Sequence, residues 1–381
     1  MTERKSRHVE IAGGGFAGLV AAVTFRKLGW SVTLHEKSDE LRPVGAGIFL
    51  WENGLRILEQ CDVLDEVLSD SVTPPFYETR THDLVAAKEM FGGARWRTMA
   101  RKTLHGALAK KATELGADIR TNSEAVSASV DGSLTLANGE VRKADLVIGA
   151  DGVGSNVRDS LGFEYERTFS RDGIARVLVE RDPELTGPEW DNVIDMWHFA
   201  PRVMRILYVP CNDRYLYLGL MAPMEDEEAS RVPIVLDAWA ETFPRLLPAL
   251  KRVAAMNYVR RDQYQTNKLK EWTRGRVALV GDSAHAMCPA LAQGAGTSMV
   301  NAYTLAHVVN QADDIADILP KWEAHVRGVT DRCQSRSAYY AETRQMARGY
   351  QFNAEVLETA NTDPVALVRS FDFSAPRKDV A

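Results

Sequence analysis

Residues 9–36 read VEIAGGGFAGLVAAVTFRKLGWSVTLHE, and how they are read decides the fold. Val9–Ala12 is a short apolar strand. Gly13-Gly14-Gly15-Phe16-Ala17-Gly18 is a G-x-G-x-x-G turn. Leu19–Leu28 is a helix closed by Gly29, and Ser31–His35 is a second strand that delivers Glu36. In that setting Gly13 makes the tight turn, Gly15 lets a pyrophosphate approach the backbone, Gly18 permits close helix–strand packing, and Glu36 takes a ribose diol. Phe16 and Ala17 open the helix inside the same expected cradle, and Lys37 flanks Glu36. The plainer alternative is a glycine-rich βα turn with no ligand. A carboxylate at Glu36 disfavours the 2′-phosphate of NADP at this site.

Such a turn is half of a nucleotide site, and residues 277–296, VALVGDSAHAMCPALAQGAG, read as the other half. The apolar run Val277–Val280 is a buried strand with Asp282 just past its tip, and Gln293–Gly296 opens a helix whose amides face an anion. A further apolar run, within KADLVIGADGVGSNVR (143–158), ends in Asp151-Gly152. Ser155 is no nucleophile elbow, because GVGSN lacks G-x-S-x-G. Gly45 and Gly47, inside Leu41–Ile48, read as backbone lying flat against a ligand or as a bulge. Trp51–Leu68 and Arg101–Leu115 read as helices; Arg101 meets a phosphate or is an exposed helix end.

From about residue 163 to 273 the texture changes to strand-like runs: Ile174–Val179, Val193–Phe199, Val203–Val209 and Tyr215–Met221, with Ile234–Arg252 as a helical interruption. The expected fold class is α/β: a three-layer Rossmann-like nucleotide-binding domain, an inserted mostly antiparallel β-sheet domain for substrate, and C-terminal helices. The nucleotide domain takes residues 1–72, 99–165 and 274–350, the last with the C-terminal helices. The substrate domain takes 73–98 and 166–273, and 351–381 form a tail.

With 381 residues the chain can bury a large core, and its 45% hydrophobic and 26% charged residues are ordinary for a globular protein. A net charge of -6 without a basic stripe argues against nucleic acid. No apolar run is long enough to span a bilayer, and no signal segment is evident, so a cytoplasmic location is expected. The four cysteines lack CxxC spacing, and His285 with Cys288 reads as packing, so no metal site is expected. Neither a Ser/His/Asp set nor HExxH is present. The chemistry must therefore come from a cofactor.

Three signatures in fixed order, Gly13–Gly18 with Glu36, Asp151-Gly152 and Gly281-Asp282, together with the inserted sheet, resemble the flavoprotein aromatic hydroxylases of the p-hydroxybenzoate hydroxylase type. The resemblance implies FAD as cofactor, with NADH or NADPH as a transient reductant. It places Gly13, Gly15 and Gly18 at the pyrophosphate, Glu36 at the adenosine ribose, and Arg42 and Arg101 along the FAD. Asp151 lies in the segment near pyrophosphate and pyridine nucleotide. Asp282 meets the ribityl chain, Pro289 lies beside the isoalloxazine, and the amides of Gln293, Gly294, Ala295 and Gly296 face its N1–C2=O end. The stretches TPPFYET (73–79), EWDNVIDMW (189–197), PRVMRILYVPCN (201–212), YLYLGLMAP (215–223) and AHAMCPALAQGAG (284–296) are similar to members of this family that act on 3-hydroxypyridine carboxylates. Carried over by those motifs, the substrate pocket is Tyr77, Arg176, Arg205, Tyr217 and Tyr264.

The function so implied is an NAD(P)H- and O2-dependent monooxygenation through a flavin C4a-hydroperoxide. The substrate is a small aromatic N-heterocyclic carboxylate, like 2-methyl-3-hydroxypyridine-5-carboxylate of vitamin B6 degradation, with ring opening as the outcome. For Arg205 two readings stand: its fork pairs with the substrate carboxylate, or it forms a salt bridge within the sheet. Three other functions compete: hydroxylation of 5-hydroxynicotinate or 6-hydroxynicotinate without cleavage, an NAD-dependent dehydrogenase, and a non-catalytic flavin-binding redox module. A homo-oligomer is compatible with the sequence, which leaves the state open.

Overall fold

The computed structural model describes residues 7–41, 46–82, 84–90, 94–343 and 354–375. Arg42 and Gly45 lie outside the described residues. Six strands form the first sheet in the order Thr273–Arg274, Val277–Leu279, Leu146–Gly149, His8–Ala12, Ser31–His35, Asp118–Arg120. All neighbours are parallel except the edge strand Thr273–Arg274. Near-continuous apolar strands suit a parallel sheet covered on both faces. Accordingly Val9, Ile11, Val147, Ile148, Val277 and Leu279 are fully buried against the helices Phe16–Lys27, Arg101–Glu114 and Gly294–Gln311.

Register explains why three distant signatures meet. Ala12 pairs with Gly149, and Gly149 pairs with Leu279. Residues 13, 150 and 280 therefore leave the sheet side by side, at the carboxyl ends of parallel strands where open α/β sheets take their ligands. The bonds Ala150 N–H to Ala12 O at 2.8 Å and Val280 N–H to Gly149 O at 2.9 Å carry the alignment past the strand ends.

The second sheet has seven strands in the order Arg261–Leu269, Tyr165–Glu180, Tyr215–Pro223, Met204–Pro210, Val193–His198, Tyr77–Thr81, Leu84–Glu89. All pairs are antiparallel apart from Val193–His198 with Tyr77–Thr81. One face packs Val177, Ile194, Ile206, Leu218 and Leu220 on Trp239, Phe243 and Leu250 of the helical segment 236–254. The two-residue period of a strand sends the alternate positions to the other face, which is where the site lies.

Two expectations change. Trp96–Ala100 does not join the large sheet; it pairs antiparallel with Gly47–Trp51 as a separate ribbon. The expected helix 51–68 is two helices, Glu52–Gln60 and Leu64–Ser69, because Asp62 adopts φ +56° and turns the chain between them. Aspartate is among the few side chains that tolerate this conformation.

Candidate active site

The glycine turn is shaped by close contacts. Gly13 sits at φ +103°, and a Cβ there would lie 2.3 Å from the Ala150 carbonyl oxygen; one on Gly18 would lie 2.0 Å from the Gly13 oxygen. Gly15 differs, because nothing lies within 4 Å of where its Cβ would be. It precedes the helix Phe16–Lys27, whose start has no side-chain cap to accept from its first amides. Phe16 and Ala17 are buried; the Ala17 Cβ would lie 3.1 Å from a Cβ on Gly281, which joins the first and last signatures physically. Glu36 accepts from Gly14 N–H and from Ser38 N–H, both at 3.0 Å, while Lys37 is exposed.

Arg101 heads the helix Arg101–Glu114 with its guanidinium 4.6 Å over the Phe16 ring, and its Nε is buried without a hydrogen-bond partner. Burial and the neighbouring Arg176 push it down to about 10, so it remains a cation at neutral pH. Asp282 is accessible from the cleft, yet enclosure raises its carboxyl against the pull of Arg101 and Arg176. A half-buried guanidinium with an unpartnered Nε, an open glycine and uncapped helix starts fit a ligand with an anionic middle and a hydroxylated chain, as FAD has.

Other residues take roles that the sequence did not show. Asp151 turns inward: its carboxylate accepts from Ser155 Oγ at 2.5 Å and from Val157 N–H at 3.0 Å, bracing its own loop. Arg158 is fully buried and donates to the carbonyls of Val153 and Ser283, so it ties the second signature to the third. Gly47 is small because Tyr217 stands there: a Cβ would come 2.4 Å from the tyrosine Cβ. Pro289 is exposed in the turn Pro289–Leu291, held by Trp51 Nε1–H donating to Leu291 O at 3.0 Å. Gln293 precedes the helix Gly294–Gln311, so Gly294 and Ala295 form its uncapped first turn and are half-buried. Gly296 answers to Asn53, whose Oδ1 would lie 2.5 Å from a Cβ. His285 is buried, with Nε2 at 3.1 Å from Asn301 Nδ2, and burial lowers it to about 4.

Tyr77, Arg176, Arg205, Tyr217 and Tyr264 come from five strands of the large sheet. Electrostatics links them: Arg205 acts on Tyr77 and Tyr264, Arg176 on Tyr217 and Tyr264, and Arg101 on Tyr217. Burial raises the hydroxyls of Tyr217 and Tyr264, so both remain protonated donors. Arg176 donates to Asp262 at 2.6 Å.

The sequence reading missed Asp195. This fully buried carboxylate accepts from Arg205 Nε at 2.6 Å and Nη2 at 3.3 Å, and from the Tyr77 hydroxyl at 2.9 Å. Burial alone would depress the Arg205 guanidinium, but Asp195 outweighs it and holds it above its ordinary value. The salt bridge within the sheet is therefore present, and it uses only the Nε–Nη2 edge. Nη1 lies 3.2 Å from Met221 Sδ, and the guanidinium stacks 4.8 Å over Trp197. A signal did exist in VIDMW: Asp195 shares the two-residue phase of Val193 and Trp197, which marks it as an inward acid. His105 was also passed over, although it stands one turn after Arg101 on the same helix face. Its Nε2 lies 2.8 Å from the Gly14 carbonyl.

A family model described as an FAD binding domain matches residues 6–313. The 2-heptyl-3-hydroxy-4(1H)-quinolone synthase of Mycobacteroides abscessus is 38% identical over 341 residues, covering 87% of this chain and 89% of its own. The protein of that name from Pseudomonas aeruginosa is 31% identical over 314 residues, covering 79% and 80%. Among solved structures, the tetrameric form of 2-methyl-3-hydroxypyridine-5-carboxylic acid oxygenase is 55% identical, with a TM-score of 0.93 over 95% of this chain and 98% of that one.

Proposed function

This chain belongs to the FAD-dependent aromatic monooxygenases of the p-hydroxybenzoate hydroxylase type, and on that premise we propose its substrate and outcome. The substrate is a 3-hydroxypyridine carboxylate of the 2-methyl-3-hydroxypyridine-5-carboxylate kind, and the ring is opened, as vitamin B6 breakdown requires. The observation that carries this reading is the one-edged grip of Asp195 on Arg205. It neutralises the buried cation's side edge and leaves end-on N–H groups for a planar carboxylate.

The remaining residues bind and orient. Tyr217 and Tyr264, kept protonated, donate to the ring hydroxyl or nitrogen, and Tyr77 steadies Asp195. Gly13–Gly18, Glu36, Arg101 and Asp282 would hold FAD, and the uncapped first turn at Gly294–Gly296 would offer its helix amides to negative charge on the flavin. FAD, when bound, would supply the redox chemistry of an NAD(P)H- and O2-dependent monooxygenation. The buried aromatics Trp51, Trp96 and Tyr77 form an apolar cluster that keeps water away. Where the attacked ring carbon bears a methyl group, aromaticity cannot return by loss of a proton. Addition of water and cleavage of the ring is then the exit.

The test is a panel of hydroxypyridine carboxylates, following NADH consumption, H2O2 release and product mass together. Ring opening adds one oxygen atom and one water to the substrate mass; hydroxylation adds the oxygen atom alone. The quinolone-synthase relatives favour hydroxylation without cleavage as a second reading. A product heavier by one oxygen atom alone establishes it. The tetrameric relative supports assembly as a homo-oligomer, which light scattering in solution tests.

A further inference from the structure

We infer that His105 is a positioning residue for the FAD pyrophosphate: it clamps the Gly14 carbonyl and thereby aims the Gly15 N–H at the ligand. The inference rests on the reading of residues 13–18 as the pyrophosphate cradle.

Three consecutive glycines have no Cβ to resist rotation of the peptide planes between them. Left alone, the Gly14–Gly15 peptide could present either its oxygen or its N–H to the cleft, and a carbonyl there would repel an anion. The fold restrains both polar groups of Gly14. Its N–H donates to Glu36 Oε2 at 3.0 Å, and its carbonyl lies 2.8 Å from His105 Nε2. A carbonyl can only accept, so Nε2 carries the hydrogen. The peptide is planar and trans, so its N–H points opposite to its C=O. With the oxygen held against His105, the Gly15 N–H faces away from the helix Arg101–Glu114. The cleft beside Gly15 is open, with nothing within 4 Å of where its Cβ would be.

His105 is itself well fixed. It is 5% exposed, and its ring lies 6.1 Å from that of Phe16. It shares its helix with Arg101, so one element supplies both a cation for the ligand and the clamp for the loop that binds it. The neighbours of His105 are Gly14, Phe16, Arg101 and Glu36, so it can be altered without touching Arg205 or Tyr217.

The test compares wild type with His105→Phe, which keeps bulk and the ring contact but cannot donate, and His105→Gln, which restores an N–H donor. FAD affinity of the deflavinated proteins is measured beside that of riboflavin, which has no phosphate. The Phe variant is expected to bind FAD on the order of 10- to 100-fold more weakly, the range for one hydrogen bond to a charged group. Riboflavin affinity stays unchanged, and the Gln variant recovers most of the loss. The 31P signals of bound FAD shift in the Phe variant but not in the Gln variant. Should Phe prevent folding, His105→Leu replaces it in the same comparison. Equal FAD affinity in the Phe variant and wild type overturns the inference, as does an equal loss for FAD and riboflavin or a failure of Gln to rescue. A wild-type protein whose FAD affinity does not depend on the pyrophosphate overturns the underlying reading of residues 13–18 instead.

Discussion

Asp195 grips Arg205 by one edge, with Nε 2.6 Å from Oδ1 and Nη2 3.3 Å from Oδ2, and the Tyr77 hydroxyl completes the carboxylate at 2.9 Å. A buried pair of this kind contributes little net stability, because desolvation offsets attraction. Its value is orientation. It fixes a guanidinium that would otherwise swing, and it keeps the pocket's charge close to neutral until an anionic substrate arrives.

Removing that grip separates orientation from stability. Asp195→Ala leaves a buried cation without its partner and is expected to cost about 3–5 kcal/mol in unfolding free energy. Asp195→Asn keeps shape and folding better, but raises KM for the carboxylated pyridine roughly tenfold, the scale of one charge-assisted contact. Denaturant unfolding and steady-state kinetics on both variants check this. An Asn variant with unchanged KM removes Arg205 from the binding role.

Gly18 and Gly15 are expected to fail in different ways. Gly18→Ala drives a Cβ to 2.0 Å from the Gly13 carbonyl oxygen, which shifts backbone at a cost on the order of 3 kcal/mol. Gly15→Ala meets nothing within 4 Å in the protein, so it folds with a melting temperature near wild type. Its methyl group occupies the space needed by the pyrophosphate, and FAD affinity falls at least about tenfold. Thermal melts without flavin, set beside FAD titrations, distinguish the two.

A pH dependence follows from Glu10, buried in the first strand between His35 Nε2 at 2.6 Å and His8 Nε2 at 2.9 Å. Burial would raise its carboxyl, but its histidine partners win and hold it at about 2, below the ordinary 4.5. A depressed carboxylate stabilises the fold fully above its unfolded value. That contribution, about 3 kcal/mol, is lost as pH falls from about 4.5 toward about 2. Glu10→Gln should flatten the stability profile across that window, as read by urea unfolding at stepped pH.

Tyr217 and Tyr264 should act as hydroxyl donors over the whole neutral range, since burial holds both above their ordinary value. Each Tyr→Phe change is expected to lower kcat/KM about tenfold, by the same factor from pH 6 to pH 9. A loss that grows with rising pH would mean that a hydroxyl ionises within the range. It would then act as a base.

Much of the site was legible because parallel strands announce themselves. Apolar runs ending in glycine at residues 12–13, and in glycine and an acid at 149–151 and 280–282, state in sequence where ligand loops begin, and the glycine spacing follows from contacts any such turn must make. The antiparallel sheet was legible only as strands. Its pairing puts Trp96–Ala100 outside it and brings Tyr77 beside Val193–His198 through a parallel pair. Neither feature leaves a local signature.

The sequence by itself determined the nucleotide-binding architecture and the glycine turn at its mouth, because backbone sterics and hydrophobic periodicity are local and survive translation into pattern. Only the tertiary structure decided how charge is arranged. Arg205 is bound by Asp195, Arg101 keeps an unpartnered Nε, and Asp151 is turned into its own loop. Which acid meets which base depends on strand register and burial. Both arise from packing among residues tens to hundreds of positions apart.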